Sequence, residues 1–384
     1  MKKVGIIMEC NPFHSGHKYF IDKIKESIKP DFLIAITSGY FTMRGDVSVI
    51  SKIDKTKALL QSGCNVVLEL PIVYSLQSSD YFAYNAVKIL YDFGVNHIVC
   101  GCENDNLENF EYFYNLLKQD SFNNILTFYI KEKKSYKIAY KLALEEQKVD
   151  EDLIKLFNSP NFTLAFQYYK TIKDNNLDIE FSLIKRTNNF DSTSLSDDIV
   201  SAKAIREGLI NNKDIHKYLP YNFNLINQLE ANERLYNIFK YLSTFIKASS
   251  FDEGILNYIK KNISDESFDQ FVTNCSNKRY TKSRIKRAII KYILDATQDI
   301  KYIPYERIIG LDDLGKYYIS LLNKEQKALI FTSIQDGNKH LEIRKYLEIE
   351  ERASLLYETI TNQNNIKIRE YQLPLRKENI WILI

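Results

Sequence analysis

The sequence is poor in the features that announce a class at first sight. Among its 384 residues no run approaches the roughly 18 apolar residues a membrane-spanning helix needs. The first apolar stretch, Val4 to Met8, is too brief for the core of a signal peptide and gives way at once to polar NPFHSGH. The expectation is a cytoplasmic protein with no membrane partner. Cysteine is scarce: Cys10, Cys64, Cys100, Cys102 and Cys275 are odd in number and lack paired C-x-x-C spacing, which argues against a disulfide framework and a structural metal. Glycine (12) and proline (7) are few, while 45% of residues are hydrophobic and 26% charged, the balance of a packed, helix-rich chain rather than a disordered one. A net charge of +3 leaves any nucleic-acid partner to be met by a local basic patch. No G-x-G-x-x-G follows the first strand run, which counts against a dinucleotide dehydrogenase. One stretch, Gly310 to Tyr317 (GLDDLGKY), copies the glycine and lysine spacing of a P-loop. Tyr317 there replaces the Mg²⁺-binding hydroxyl, and Asp312 and Asp313 bring negative charge into the phosphate cradle. A polar turn before a helix is the better reading.

What is present begins with alternation. The length suggests two domains. Apolar runs at Val4 to Met8, Phe32 to Thr37, Val66 to Leu70 and His97 to Cys100 suit strands buried on both faces. Helical stretches lie between them. Phe20, Ile24 and Ile28, with Ile21 beside them, form one stripe before Pro30, and Lys52 to Ser62 and Asp80 to Phe93 end at Gly63 and Gly94. This order predicts a Rossmann-like parallel α/β sheet. Beyond it, SPNFTLAFQYYK reads as a polar loop leading to one more strand at Ile179 to Ile184. From residue 208 onward no strand run recurs convincingly, so the expected organisation is an α/β domain over residues 1–207 and a mostly α-helical domain over 208–384.

Two of the five histidines, His14 and His17, flank Gly16 between the first strand and the first helix. They could simply cap that helix or satisfy a core contact. A zinc pair would need a third ligand, and His97, His216 and His340 offer no companion spacing. The third reading is an anion site. Ligands of open parallel sheets bind beyond the carboxyl ends of the strands, a helix start presents free N–H groups, and imidazole N–H donors beside a glycine suit phosphate oxygens.

The stretch Asn11-Pro12-Phe13-His14-Ser15-Gly16-His17 resembles the HxGH motif of the nucleotidyltransferase superfamily. GYFTMRGDVSVISKIDKTKALLQSGCNVVLELP, SPNFTLAFQYYK, LIKRTNNFDS, VSAKAIREGL and NKRYTKSRIKRAIIKYIL follow in an order similar to the tRNA(Met) cytidine acetate ligase family, and the likeness spans nearly the whole chain. The resemblance implies an HxGH nucleotidyltransferase domain followed by a helical tRNA-binding region. It implies that ATP and acetate give acetyl-adenylate, and that the acetyl group passes to N4 of the wobble cytidine of elongator tRNA(Met). Mg²⁺ would accompany the triphosphate.

By the same resemblance His14 and His17 stabilise the reacting α-phosphate. The ATP-binding stretch falls on Ile7, Met8, Glu9, Cys10, Asn11, Pro12, Phe13, His14, Ser15, Gly16, His17, Lys18, Tyr19 and Phe20. Gly101 lets the adenosine lie against backbone, Asn161, Lys185 and Arg186 contact the nucleotide, and in the ISSTxIR-like motif Ser201 caps a helix while Arg206 reaches the phosphates. Ser15, Met43 and Lys203 depart from the family pattern, where Asn, Gln and Thr are usual. The run Lys278, Arg279, Lys282, Arg284, Lys286 and Arg287, interleaved with Tyr280 and free of acids, reads as an RNA-backbone contact, with Lys55 and Lys57 extending that surface. Two alternatives stand beside the ligase: a small-molecule adenylyltransferase that releases an adenylated metabolite, and a non-catalytic RNA-binding module.

Overall fold

A computed structural model describes residues 1–132, 134, 136–186, 200–247, 250–251, 253–297, 302, 305–323 and 330–378. Residues 187–192 of LIKRTNNFDS lie outside them. Strands β1 (Lys3–Ile7), β2 (Phe32–Ser38), β3 (Val66–Leu70), β4 (His97–Cys102) and β5 (Glu180–Lys185) form a parallel sheet in the spatial order β5-β4-β1-β2-β3. Every residue of β2 and β3 is buried, as expected of mostly apolar central strands covered by helices on both faces.

Helices α1 (Ser15–Ser27), α2 (Lys52–Ser62), α3 (Ile72–Ser75) and α4 (Ser79–Asp92) make the crossovers. Gly63 closes α2 at φ 106, a left-handed geometry that glycine enters without the usual Cβ clash. After β4 come α5 (Leu107–Leu117), α6 (Asp120–Lys131), α7 (Tyr136–Glu146), α8 (Glu151–Phe157) and α9 (Pro160–Asp174). The stretch expected as a polar loop is therefore the first part of a helix. Ser159 stands at its N-cap and Pro160 in its first turn, so the residues that read as a turn are a helix start. Phe162, Ala165, Phe166 and Tyr169 fall at i, i+3, i+4 and i+7 and are buried.

The second half continues with α10 (Ala202–Ile210), α11 (Gln228–Ser243), α12 (Glu253–Asn262), α13 (Phe268–Cys275) and α14 (Lys282–Ile293). Here the expectation of a strandless region needs correction. β6 (Glu306–Leu311) pairs antiparallel with β3, and β7 (Ile330–Phe331) and β8 (Leu375–Arg376) pair parallel with β6, extending the same sheet. Helices α15 (Asp313–Leu321), α16 (Ile334–Gly337), α17 (Leu341–Thr361) and α18 (Ile366–Glu370) complete this part. The strand was hidden because its first two residues, Glu306 and Arg307, are charged yet buried.

Arg307 donates to Glu69 Oε2 at 2.8 Å and to Glu370 Oε2 at 2.9 Å, while Lys52 Nζ lies 2.8 Å from Glu370 Oε1 and also bonds Glu69. All four side chains are within 1% of complete burial. Tyr40 and Ser354 hydroxyls add bonds to Glu370 at 2.6 and 2.9 Å. The P-loop lookalike is a helix start filled by its own side chain, Asp312 Oδ1 accepting the Gly315 N–H at 2.8 Å. No described helix is long and apolar enough to cross a membrane.

Candidate functional site

The chain winds one way from β1 to β3 and the other way to β4 and β5, so the crevice beyond the carboxyl ends of β1 and β4 is the topological switch point. A cavity of about 290 Å³ opens there. From β1 and the turn after it come Ile7, Met8, Glu9, Cys10 and Asn11, and from α1 and its cap His14, Gly16, His17, Tyr19 and Phe20. Gly101 of β4, Asn161 of α9, Lys185 at the end of β5 and Arg186 just after it, and Arg206 of α10 line the other walls. Residues more than a hundred positions apart thus line one cavity.

His14 caps α1: its Nδ1 accepts the Gly16 N–H at 3.0 Å, and His17 Nδ1 accepts the His14 N–H at 3.2 Å. The two rings lie 3.9 Å apart, centroid to centroid. Because both Nδ1 atoms accept, the neutral rings carry their protons on Nε2 and remain donors there. Burial, reinforced by His17 and by the Arg186 and Arg206 guanidinium groups, holds the His14 pKa well below its ordinary value. Burial and Arg186 bring His17 down to about 3. The pair caps the helix through Nδ1 and is left as a set of neutral N–H donors at Nε2.

The cations are braced by backbone. Arg206 donates to the Asn11 carbonyl at 2.6 Å, and Asn11 Oδ1 accepts the Val49 N–H at 2.8 Å. Ser201 Oγ accepts the Ala204 N–H at 3.0 Å, capping α10 while itself buried away from the cavity. Asn161 Nδ2 donates to Glu103 Oε1 at 2.7 Å, and the same carboxylate takes the Asn161 and Phe162 N–H groups at 3.2 and 2.7 Å. Glu103 thus holds Asn161 through both its backbone N–H and its side-chain Nδ2. A Cβ on Gly101 would meet only Arg186 and Phe20, at 3.6 and 3.7 Å, so the bare backbone there faces the cavity rather than a tight packing contact.

Five of the expected nucleotide residues are scaffold to this cavity rather than lining. Phe13 is fully buried against His17 and Tyr221, and Pro12 follows a cis peptide bond. Ser15 Oγ donates to the Tyr218 carbonyl at 2.9 Å, Lys18 pairs with Asp22 at 2.6 Å, and Ser201 is the α10 cap. Several lining residues were not singled out as binding residues: Thr42, Met43, Arg44 and Asp46 arrive on the loop after β2, and Lys203 on α10. The signal for the loop was GYFTMRGD itself, an Arg and an Asp around a glycine between two apolar stretches.

That loop is seated on α14. Gly45 has φ 75, and a Cβ there would stand 2.7 Å from Lys286 Cβ. Lys286 Nζ bonds Asp46 Oδ1 at 2.8 Å and Arg287 donates to the Met43 carbonyl at 3.0 Å. These two members of the basic run are turned towards the cavity loop. Lys278, Arg279, Lys282 and Arg284 are exposed, with Arg279 and Arg284 lying 5.4 and 5.1 Å from the Tyr280 ring centre. Lys55 does not extend this surface. It is fully buried and donates to the carbonyls of Ser38 and Gly39 at 3.1 and 2.8 Å, and burial lowers its pKa to about 8.

Residues 1–372 match the HIGH Nucleotidyl Transferase family. The tRNA(Met) cytidine acetate ligase of Caldicellulosiruptor saccharolyticus is 32% identical over 410 residues, covering 100% of this chain and 99% of that protein. The chain belongs to the tRNA(Met) cytidine acetate ligase family. A second family member, from Oceanobacillus iheyensis, is 31% identical over 94% of this chain and 95% of its own length. Among solved structures, apo TmcAL of Thermotoga maritima has a TM-score of 0.88 at 25% identity, covering 98% of this chain and 99% of that one. TmcAL bound with alpha-thio ATP gives 0.84 over the same shares at the same identity.

Proposed function

We propose that this protein is a cytoplasmic, AMP-forming ligase that activates acetate with ATP and acetylates N4 of the wobble cytidine of elongator tRNA(Met). The observation that carries the reading is the switch-point cavity, where two neutral imidazole donors share walls with Arg44, Lys185, Arg186, Lys203 and Arg206. Acetate attacks the α-phosphorus of ATP, the new P–O bond forms as the bond to pyrophosphate breaks, and charge grows on the α-phosphoryl oxygens. His14 and His17 hold that charge through Nε2–H, and the guanidinium groups hold the polyphosphate. Because the imidazoles are already neutral, they give hydrogen bonds without giving up a proton to solvent beforehand. The chain contributes positioning and charge compensation, and the mixed anhydride supplies the good leaving group.

Among the described residues no three His, Cys, Asp or Glu side chains converge as a metal site. Mg²⁺ would enter on the phosphates of ATP, as it does where carboxylates are few. Residues 208–384 supply the tRNA-binding region in this reading, and the exposed Lys278, Arg279, Lys282 and Arg284 offer phosphate contacts at the start of α14. The engaged Lys286 and Arg287 connect that helix to the cavity loop.

The test is incubation of the purified chain with ATP, Mg²⁺, acetate and elongator tRNA(Met), followed by nucleoside mass spectrometry. N4-acetylcytidine at the wobble position is expected, with AMP and pyrophosphate released in equal amounts. An unmodified tRNA alongside adenylation of a small metabolite would replace this reading with a small-molecule adenylyltransferase.

A further inference from the structure

The cavity contains a group that anion recognition does not use. Glu9 leaves the end of β1 and lines the cavity, where its Oε1 accepts the Met43 N–H at 2.7 Å. The second acid on the walls, Asp46, is neutralised by Lys286 at 2.8 Å. Glu9 instead keeps its hydrogen bond to the Met43 N–H, while Lys55 and Arg44 act on it electrostatically. Triphosphate, acetate and the RNA backbone are all anions, and a carboxylate in their site weakens binding to each of them. The remaining participant is different. The cytosine amine presents N–H donors, and a carboxylate is the acceptor that matches them.

We infer that Glu9 receives the exocyclic amine of the acceptor base and takes its proton during acetyl transfer. This inference rests on the proposed ligase reaction. The N4 nitrogen forms a bond to the acetyl carbonyl carbon, the bond from that carbon to the AMP oxygen breaks, and its electron pair leaves on AMP. The proton shed by N4 goes to Glu9 and then to solvent. A cytosine amine is weakly nucleophilic because its lone pair is shared with the ring, so an acceptor for its proton is the assistance it lacks.

The groups around Glu9 fit the role of a base. Burial pushes its carboxyl above the ordinary value, while the Met43 amide, Lys55 of α2 and Arg44 of the loop pull the other way. Ser38 of β2 lies on the same side, and Arg206 of α10, Tyr168 of α9 and neighbouring Cys10 also feel its charge. The net effect is a more basic carboxylate than an exposed glutamate. Glu9→Gln keeps the shape and an oxygen for the Met43 N–H but cannot take a proton.

The test uses the full chain and separates the two half-reactions. Acetate-dependent exchange of pyrophosphate into ATP reads activation, and single-turnover acetylation of elongator tRNA(Met) reads transfer. For Glu9→Gln, single-turnover transfer is expected to fall about 10²-fold or more, the usual worth of a positioned base, and by at least about ten-fold more than exchange falls. Wild-type transfer should slow as pH falls through the Glu9 titration, and the variant should lose that limb. Glu9→Asp, which keeps the carboxylate, should recover part of the rate. Transfer at the wild-type rate, an unchanged pH profile, or equal loss of exchange and transfer in both variants would overturn the inference. A wild-type chain that exchanges pyrophosphate with acetate but never acetylates tRNA would overturn the ligase reading instead.

Discussion

Two sets of ionisable side chains are buried in this molecule with opposite outcomes. Lys52, Glu69, Arg307 and Glu370 keep their charges in a closed quartet of two cations and two anions between β3, β6, α2 and α18. His14 and His17, at the end of β1, lose theirs. Burial opposes charge in both places, and partners decide the result. Each carboxylate of the quartet meets two cations, whereas the histidines face other cations across an open cavity. One site balances its charges internally, and the other leaves neutral donors beside unbalanced cations.

The contrast can be broken most severely at the quartet. Glu69→Ala leaves Lys52 and Arg307 buried against a single carboxylate and should cost about 3–5 kcal/mol of stability, measured by urea unfolding. A loss below 1 kcal/mol would mean that the cations find water or another partner. At the second site the effect should fall on rate rather than on stability. His17→Ala should slow acetate-dependent pyrophosphate exchange by about 10²–10³-fold, as removal of one transition-state donor does. Its stability loss should stay within the roughly 0.5–2 kcal/mol of a helix cap. Unaltered exchange would exclude His17 from the activation step.

Acid separates the two sites more gently. The histidine pKa values are depressed in the folded chain, so the unfolded chain binds protons first as pH drops below 6.5. Stability from each histidine is therefore present above 6.5 and declines by about 1.4 kcal/mol per pH unit below it, His17 continuing until about 3. Glu370 behaves as a depressed carboxylate: burial raises it, but Lys52 and Arg307 pull it lower still, so its contribution holds above 4.5 and is lost at more acid pH. Replacing both histidines by Asn, which retains an acceptor for each cap, should remove the histidine part of the slope between pH 6.5 and 4.5, where buried Glu306 and Glu350, each raised to about 8, pull the opposite way, and leave the lower portion in place. An unchanged slope in the upper portion would contradict neutral histidines.

The same contrast explains what was legible in the sequence. β3 and α2 are found with the very limits expected, because Val66 to Leu70 is an apolar run and Gly63 stops the helix before it. The histidine motif was legible because its residues are consecutive and the chemistry lies in their spacing. What escaped were elements whose charges are satisfied by distant partners. Glu306 and Arg307 disguised β6, and Lys55 passed for a surface residue although two backbone carbonyls hold it inside. A lone Glu69 within VVLEL was the available clue, since a carboxylate in a doubly buried strand demands a cation from somewhere. Ser-Pro-Asn concealed α9 for another reason: the same residues begin helices and make turns.

The antiparallel seam between β3 and β6 also sets an order of events during translation. Glu69 reaches Arg307 across 238 positions, so the ribosome exposes β3 long before the matching strand exists, with Lys52 the one cation of the pair already made. Until then the nascent sheet carries an open edge at β3 and a carboxylate with one of its two cations. The half of the chain that holds the histidine motif is made first, yet it waits on the last third for its electrostatic closure.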